Sequence, residues 1–399
     1  MSATVVSDKR IYLDYAATAP LLPRVRDSML PYFDKKYGNP SSMHLSGRRA
    51  KMAIEEARAK IAQVLECLPE EIIFTGSGTE SDNLAIIGVA RAHRDKGDHI
   101  IVSAIEHKAV LEAAKMLEKE SFKVDIVPVD HEGKVDIDTC LALINDRTIL
   151  VSVMYANNEI GTIEPLQAIA LGIKKRRGSG TVPLFHTDAC QAAGFLPLSV
   201  KELGIDLMTL NSSKIYGPKG VGILYKKKGI RLEPLIVGGE QEMSLRAGTQ
   251  SVPLIVGCAE ALLIAERDRH SESVRLSELR NYFISRLEEE IPGVIVNGHR
   301  TDRLPNNIHI SIPFVEGESM LLMLDKKGIE ASTGSACSAF DLRPSHVLLA
   351  IGQSEEIIHG SIRFSLGRNT TLRDVYETML VFPLIVKKLN SLSALTAHL

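Results

Sequence analysis

Tryptophan is absent from this sequence of 399 residues, and so are several patterns that would place it in a particular class of protein. The opening residues, MSATVVSDKRIYLDYAA, have no apolar core of the signal-peptide type. No stretch reaches the roughly 20 apolar residues of a membrane span. The net charge of -2 gives no electrostatic case for binding nucleic acid or a membrane surface. We therefore expect neither kind of partner.

Paired cysteines are also lacking. The five cysteines lie far apart and form no CxxC pair; they are Cys67, Cys140, Cys190, Cys258 and Cys337. An odd, scattered set argues against a disulfide framework and for a reducing compartment, so we expect a cytoplasmic protein. One cysteine is expected to be reactive and the other four to be small core residues.

What the sequence does contain is an alternation of apolar runs and helical stretches from about residue 70 to residue 226. This alternation predicts crossover units and a mostly parallel, buried sheet, with any cofactor site at the carboxyl ends of its strands. The strand candidates are Glu71–Thr75, His99–Ala104, Val124–Val129, Thr148–Tyr155, Val182–Asp188, Asp206–Leu210 and Val221–Tyr225.

The pattern changes after Pro253. A long helical stretch, roughly 255–290, is followed by short strands and two further helices. A chain of this length is also expected to form more than one domain. The second part of the sequence therefore predicts a separate α+β domain.

A glycine-rich turn occurs in FTGSGTESDNLAI, Phe74–Ile86. A strand runs into Gly-Ser-Gly, and Thr79 and Glu80 open an amphipathic helix whose first amides can bind phosphate. The alternative is an ordinary glycine turn with a threonine cap. The sequence completes neither a Walker loop nor GxGxxG, which disfavours a nucleotide-binding enzyme.

An aspartate, Asp188, ends the apolar strand in FHTDACQ. A buried carboxylate needs a cationic or hydrogen-bonding partner, and the nitrogen of a pyridinium ring is one such partner. An ordinary strand-end cap is the alternative. A metal site made of His186, Asp188 and Cys190 is disfavoured because the set mixes hard and soft ligands.

A lysine, Lys214, follows the next strand in LNSSKIYGPKGVGILY. A lysine that is desolvated or close to other cations can become the nucleophile that forms a Schiff base. The glycines after it would allow close backbone packing beside a bound group. A surface lysine in a loop is the alternative, which the phosphate-binding turn and the buried acid disfavour.

Cys337, Arg363 and His107 complete the candidates. Cys337 lies in a run of small residues that predicts an accessible, mobile loop, where a thiol can be a nucleophile or remain passive. Arg363 alternates with apolar residues on a strand and could grip a carboxylate or form a structural ion pair. His107 follows a strand at the same sheet edge, where it could stack on a ring and move protons, or cap a helix.

Together these segments resemble the cysteine desulfurases of the class V aminotransferase group, which depend on pyridoxal 5'-phosphate. The likeness extends over nearly the whole chain, from IYLDYAATAP through GNPSSMHLSGRRA, EIIFTGSGTESDNLAI, NNEIGTIEPL, HTDACQAAG, SKIYGPKGVG and LRAGTQ to GSACSA and IRFSLGR. The last two forms are similar to the group that serves iron–sulfur assembly and tRNA thiolation.

The resemblance implies the PLP fold type I architecture, an α/β fold with a mainly parallel seven-stranded sheet, and a homodimer. Residues 16–260 would form the large cofactor-binding domain. Residues 1–15 and 261–399 would form the small α+β domain, which carries the cysteine loop at about 332–345.

The resemblance also assigns cofactor contacts. Lys214 would bind the cofactor covalently, Asp188 would face the pyridine nitrogen, and His107 would stack over the ring. The other contacts would come from Gly78, Thr79, Asn158, Gln191, Asn211, Ser213 and, from the second subunit, Thr249.

The implied reaction is the desulfuration of L-cysteine to alanine, with no metal. Lys214 and His107 would move protons, and Arg363 and Asn158 would bind the substrate. Cys337 would carry the sulfur as a persulfide to an iron–sulfur scaffold protein or another acceptor. The alternatives are a selenocysteine or cystine lyase of the same family, and a non-catalytic docking protein that retains the fold.

Two residues depart from the family pattern. The family usually has a histidine directly before the lysine, where this chain has Ser213, and a serine two residues earlier, where this chain has Asn211. Both positions normally contact the phosphate. Since both substitutes can donate hydrogen bonds but neither can be positively charged, we expect a working site with an altered phosphate contact.

Overall fold

The computed structural model describes residues 10–333 and 344–392. The strands are β1 (Ile11–Tyr12), β2 (Ile72–Thr75), β3 (His99–Ser103), β4 (Lys123–Val127), β5 (Thr148–Ser152), β6 (Leu184–Asp188), β7 (Leu207–Asn211), β8 (Gly222–Lys226), β9 (Ile295–Val296), β10 (Asn307–Ser311), β11 (Ile329–Glu330) and β12 (Ser361–Ser365). The α-helices are α1 (Pro23–Met29), α2 (Leu45–Leu65), α3 (Gly78–Ala92), α4 (Lys108–Glu118), α5 (Ile137–Leu143), α6 (Leu166–Arg177), α7 (Val200–Leu203), α8 (Val252–Glu290), α9 (Gly317–Lys326), α10 (His346–Ala350), α11 (Glu355–Ile358) and α12 (Leu372–Leu392).

The largest sheet has seven strands in the order β2-β8-β7-β6-β5-β3-β4. Strand β8 is antiparallel to both of its neighbours, and every other neighbouring pair is parallel. The predicted fold class is therefore confirmed as α/β with a mainly parallel seven-stranded sheet. Strands β3, β5 and β6 are buried along their whole length, which explains why they read as continuous apolar runs.

Helices cover both faces of this sheet. One apolar cluster joins the sheet to α2, α6 and the first part of α8, and a second cluster joins its other face to α3 and α4. This arrangement leaves the ends of the strands as the place where polar side chains can meet.

A third apolar cluster contains β10 and β12 together with α9, α12 and the second part of α8. These strands form a three-stranded sheet with β9, and β1 pairs in parallel with β11 nearby. Helix α8 has 39 residues and contributes to this cluster as well as to the first.

Two element boundaries differ from the predictions because of proline. Helix α8 begins at Val252, before Pro253, since proline is tolerated in the first turn, where its missing N–H has no partner to lose. Strand β6 begins at Leu184, after Pro183, because proline cannot donate to a strand ladder. Within residues 10–333 and 344–392, no helix is both long and apolar enough to cross a membrane.

Candidate active site

A cavity of about 450 Å³ lies where β2, β3, β5, β6 and β7 end. Most of the predicted site residues line it: Gly78, Thr79, His107, Asn158, Asp188, Gln191, Asn211, Ser213, Lys214 and Arg363. Thr249 is exposed and does not line this cavity. Cys337 lies outside the residues that the structure describes.

The glycine-rich turn between β2 and α3 forms one wall. Helix α3 begins at Gly78, and the Ser77 hydroxyl caps it by accepting a hydrogen bond from the Glu80 amide at 3.1 Å. The threonine cap that was the alternative for this turn is therefore wrong, because the cap is Ser77, two residues before Thr79. The amides of Gly78 and Thr79 belong to the first helical turn, where N–H groups have no intrahelical acceptor.

Close approach of neighbouring atoms favours glycine at two positions of this wall. A Cβ atom on Gly78 would lie 3.0 Å from the Cys190 sulfur and 3.2 Å from Cβ of Asn211. A Cβ atom on Gly222, at the start of β8, would lie 2.4 Å from the Ser77 carbonyl. Gly217, after Lys214, is also closely packed, since a Cβ atom there would lie 2.2 Å from the Ser212 hydroxyl. That the glycines after Lys214 pack beside a bound group stays a prediction.

Asn211 and Ser213 face this turn from the end of β7. The Asn211 side-chain oxygen accepts hydrogen bonds from the Ser213 amide at 3.2 Å and from the Ser213 hydroxyl at 3.1 Å. This fixes the direction of the Asn211 side chain, whose NH₂ group would lie 3.3 Å from a Cβ atom on Gly78. A donor amide thus points at the helix start.

Asp188 and three neutral or protonated groups lie beneath the cavity. Asp188 is buried, and its Oδ1 accepts a hydrogen bond from the Cys190 amide at 2.9 Å. Burial lowers the pKa of His186 to about 4, and it raises the pKa of Glu106 to about 8. Burial and the nearby Asp188 also hold the pKa of the Cys190 thiol well above its usual range. His186 lies with its ring nitrogens 2.9 Å from the Ser152 hydroxyl and 3.1 Å from the Thr209 hydroxyl, rather than in a metal site with Cys190.

Lys214 reaches the cavity from the turn after β7. Its Nζ donates hydrogen bonds of 2.7 Å to the carbonyl oxygens of both Ala16 and Ala17. The side-chain NH₂ group of Gln191 also donates a hydrogen bond to the Ala16 carbonyl, at 3.0 Å. The segment after β1 therefore closes the site over the lysine, and the lysine is not a surface residue in a loop.

His107 has the capping role considered for it, and it also lies at the cavity, where stacking on a ring and moving protons stay predictions. It caps α4, because its Nδ1 accepts a hydrogen bond from the Ala109 amide at 3.1 Å, and its ring also lines the cavity. An accepting Nδ1 leaves the proton of a neutral imidazole on Nε2.

Arg363 likewise has both an ion pair and a place at the cavity. Its guanidinium lies 3.0 Å from a carboxylate oxygen of Asp14 and donates to the Asn158 carbonyl at 2.7 Å. The side chain is 2% exposed, yet it forms part of the cavity wall. A ligand carboxylate entering the cavity would therefore meet a guanidinium that is already oriented.

Several lining residues were not predicted from the sequence: Ala16, Ala17, Thr18, Asp82, Lys108, Met154, Ala156, Glu159, Cys190, Lys219 and His346. Asp82 could have been predicted from the sequence, because it is a charged residue one helical turn beyond Gly78, on a face of α3 that is otherwise mostly small or apolar. His346 was missed because it follows the cysteine loop, where no apolar periodicity marks a face.

The residues present suit pyridoxal phosphate. The glycine cradle and the start of α3 offer backbone amides to a phosphate, and the buried Asp188 offers a carboxylate to a basic ring nitrogen. Lys214 offers an amine to a carbonyl carbon in the same cavity.

Comparison with known proteins agrees with this geometry. The family model for aminotransferase class V matches residues 11–377. A protein named cysteine desulfurase IscS from Dictyoglomus turgidum is 51% identical over 385 residues, 96% of each chain. One of the same name from Methanosarcina thermophila is 48% identical and covers 98% of this chain and 95% of its own. A solved structure described as a NifS-like protein superposes with a TM-score of 0.89 at 38% identity, covering 96% of this chain and 100% of its own.

Proposed function

The chain belongs to the aminotransferase class V family, and from that membership we propose that it is a pyridoxal-phosphate-dependent L-cysteine desulfurase. One observation carries the proposal: a phosphate-binding turn, a buried acid and a lysine converge on one cavity in a chain 51% identical to a named cysteine desulfurase. The products would be alanine and a protein-bound persulfide.

The cofactor would be held at four points. Gly78, Thr79, Asn211 and Ser213 would bind its phosphate, and Asp188 would accept a hydrogen bond from its ring nitrogen. Asn158 and Gln191 would lie near its phenolic oxygen, and His107 would stack on the ring. When bound, pyridoxal phosphate supplies a carbonyl carbon for amines and a ring that withdraws electrons from the substrate.

The substrate carboxylate would bind to Arg363. The Asp14 carboxylate already neutralises this buried guanidinium, and the Asn158 carbonyl accepts from its other end. Both contacts hold the planar group in one orientation, so that little side-chain freedom is lost when the substrate binds.

Proton movement would fall to Lys214 and His107. The amine of Lys214 lies in the cavity and donates hydrogen bonds of 2.7 Å to the Ala16 and Ala17 carbonyls, which hold it in place. His107 would present its Nε2 proton to the cavity, because Nδ1 is occupied by the Ala109 amide. One group can then accept a proton while the other donates one.

Sulfur transfer would fall to Cys337. Its thiolate would attack the substrate sulfur, forming an S–S bond as the Cβ–S bond breaks, and the bonding electron pair would stay on the substrate carbon until that carbon is protonated. The described cysteines are poor candidates, because burial raises the pKa of Cys67, Cys140 and Cys258 to about 12. The thiolate is the reactive form of cysteine.

We further propose a cytoplasmic homodimer in which Thr249 of each subunit contacts the phosphate of the other. Support comes from the exposure of Thr249 and from a concentration of exposed apolar side chains, namely Leu30, Phe33, Tyr37, Met43, Leu45 and Met52. Residues 16–260 would be the large domain, with residues 1–15 and 261–399 as the small domain. The sulfur acceptor would be an iron–sulfur scaffold protein or another thiol-bearing protein.

An absorbance spectrum of the purified protein, taken before and after L-cysteine is added, tests the proposed function. We expect a visible cofactor band that changes on addition, and alanine formed in stoichiometry with sulfur. Turnover on selenocysteine and cystine, measured by the same alanine assay, separates this activity from the related lyases. A colourless protein that forms no alanine would instead match a non-catalytic docking protein.

Restoring the family histidine at position 213 should be tolerated. We expect Ser213→His to keep or tighten cofactor binding, because an imidazole can donate to the phosphate and the Ser213 amide can still bond to Asn211. Cofactor affinity of the variant, measured by titrating the stripped protein, checks this. Asn211→Ser, which restores the other family residue alone, is the matched control. Loss of cofactor only in Ser213→His would mean that the phosphate-binding residues have adapted to the smaller side chain of Ser213.

A further inference from the structure

Asp82 is a second buried carboxyl group beneath the cavity, and the proposed reaction does not use it. Its residue is 1% exposed, and it lines the cavity one helical turn beyond Gly78. One of its carboxyl oxygens, one of Asp188 and a ring nitrogen of His107 all lie within 4.8 Å of one another. Two carboxylates at this separation in a buried site repel each other, so one of them is expected to hold a proton.

The immediate contacts of the two acids decide which one is protonated. The amide of Cys190 donates to Asp188 at 2.9 Å, and a backbone donor favours a charged carboxylate. Among the described residues, Asp82 Oδ1 has no hydrogen-bond partner, and the Thr209 hydroxyl is close enough to interact with the carboxyl group. Burial, and after it the charge of Asp188, holds the pKa of Asp82 well above its usual range.

Two titratable groups close to Asp82, His186 and Glu106, do not supply a compensating positive charge. His186 Nε2 lies 3.7 Å from Asp82 Oδ1, and burial leaves this histidine neutral, with its pKa lowered to about 4. Glu106 adds a third acid, whose pKa burial raises to about 8, and His107 contacts the Ala109 amide through Nδ1. An ionised Asp82 would therefore be a buried negative charge among other acids.

We infer that Asp82 is a positioning residue that remains protonated beneath the cavity and thereby leaves the negative charge on Asp188, facing the pyridine nitrogen. The inference rests on the proposed function, because Asp188 has that partner only when pyridoxal phosphate is bound. A neutral Asp82 does not compete with Asp188 for the ring nitrogen, yet it keeps a polar group that can bond to Thr209.

The Asp82→Asn variant tests the protonation state through stability. A carboxyl group whose pKa is higher in the folded than in the unfolded chain destabilises the fold as the pH rises above about 3.9, because the unfolded chain then binds fewer protons. Asparagine has nearly the same shape and no such proton to lose. In the full-length protein stripped of cofactor, we expect the variant to unfold about 2 °C or more above wild type near pH 8. The difference should shrink as the pH falls towards 4. An unfolding temperature below wild type near pH 8 would overturn the inference.

The spectrum of the cofactor-loaded protein separates the two acids. We expect Asp82→Asn to keep the position of the visible band at neutral pH, whereas Asp188→Asn should shift it or lose the cofactor. A shift in Asp82→Asn equal to that of Asp188→Asn would mean that Asp82 carries the charge.

Infrared spectra of wild-type protein keep the inference testable even if the variant fails to fold. With an isotopic label at the aspartate Cγ, the stripped protein should show the carbonyl band of a protonated aspartate at neutral pH, and that band should disappear in Asp82→Asn. Absence of such a band from wild type would overturn the inference. Because these infrared and unfolding measurements use neither cofactor nor substrate, their outcome is independent of whether the desulfurase proposal fails.

Discussion

The Lys214→Ala protein is expected to lose its visible absorbance after desalting and to lose at least about a thousandfold in alanine formation. Removing the amine removes the proposed covalent attachment to the cofactor and a group proposed to move protons, and general acid–base catalysis alone contributes about 10²–10⁴-fold. The Nζ hydrogen bonds to Ala16 and Ala17 would also be lost, so the segment after β1 should loosen. Absorbance after desalting and a timed alanine assay measure the two effects.

Lys219 provides a matched control for this variant. It lies in the same turn and lines the same cavity, but it is exposed. Lys219→Ala should therefore keep both the visible band and most of the activity. A Lys214→Ala protein that retained its colour through desalting would show that another amine binds the cofactor, and the role of Lys214 would have to be abandoned.

The Cys337→Ser protein should bind the cofactor normally and fail to release sulfide in the presence of a reductant. Serine keeps the size of the side chain but cannot accept sulfur as a persulfide, so the reaction should stop with the Cβ–S bond of the substrate intact. The visible spectrum should match wild type, which distinguishes loss of sulfur transfer from loss of the site. Sulfide production at saturating L-cysteine is the measurement.

Cys67→Ser is the matched control for Cys337→Ser, because it also removes one thiol but not the proposed sulfur acceptor. Cys67 is only partly buried, and burial raises its pKa to about 12, so it is protonated at neutral pH. Its replacement should leave sulfide release near the wild-type rate. Sulfide release by Cys337→Ser at the rate of this control would rule out Cys337 as the acceptor.

The sequence predicted those cavity residues that lie at the ends of strands. Asp188 and Asn211 are polar residues that end apolar strands, and the carboxyl ends of parallel strands share one edge of the sheet. Lys214 follows β7 by a single short turn, so its place was constrained in the same way. The position of a residue at the end of a strand was therefore the main basis for predicting that it lies at the cavity.

Contacts between elements were not predictable in this way. Asp82 reaches Asp188 only because α3 packs against β6 and β7 on one face of the sheet, and the local sequence does not specify which strands the helix contacts. The Asp14–Arg363 pair joins residues that are 349 positions apart. Contacts between residues on different elements depend on how the apolar faces of those elements pack together. A sequence pattern shows which face of a helix or strand is apolar, but not which other element that face contacts.

The length of helix α8 affects where Lys214 and Arg363 lie relative to each other. Its first part packs with the sheet that carries Lys214, and its second part packs with β12, which carries Arg363. An α-helix turns by about 100° and advances about 1.5 Å for each residue. Gaining or losing one residue in the middle of α8 would therefore rotate one apolar face away from its partners and displace the arginine relative to the lysine. The number of residues in this helix is therefore part of the geometry that would align an amino acid for reaction.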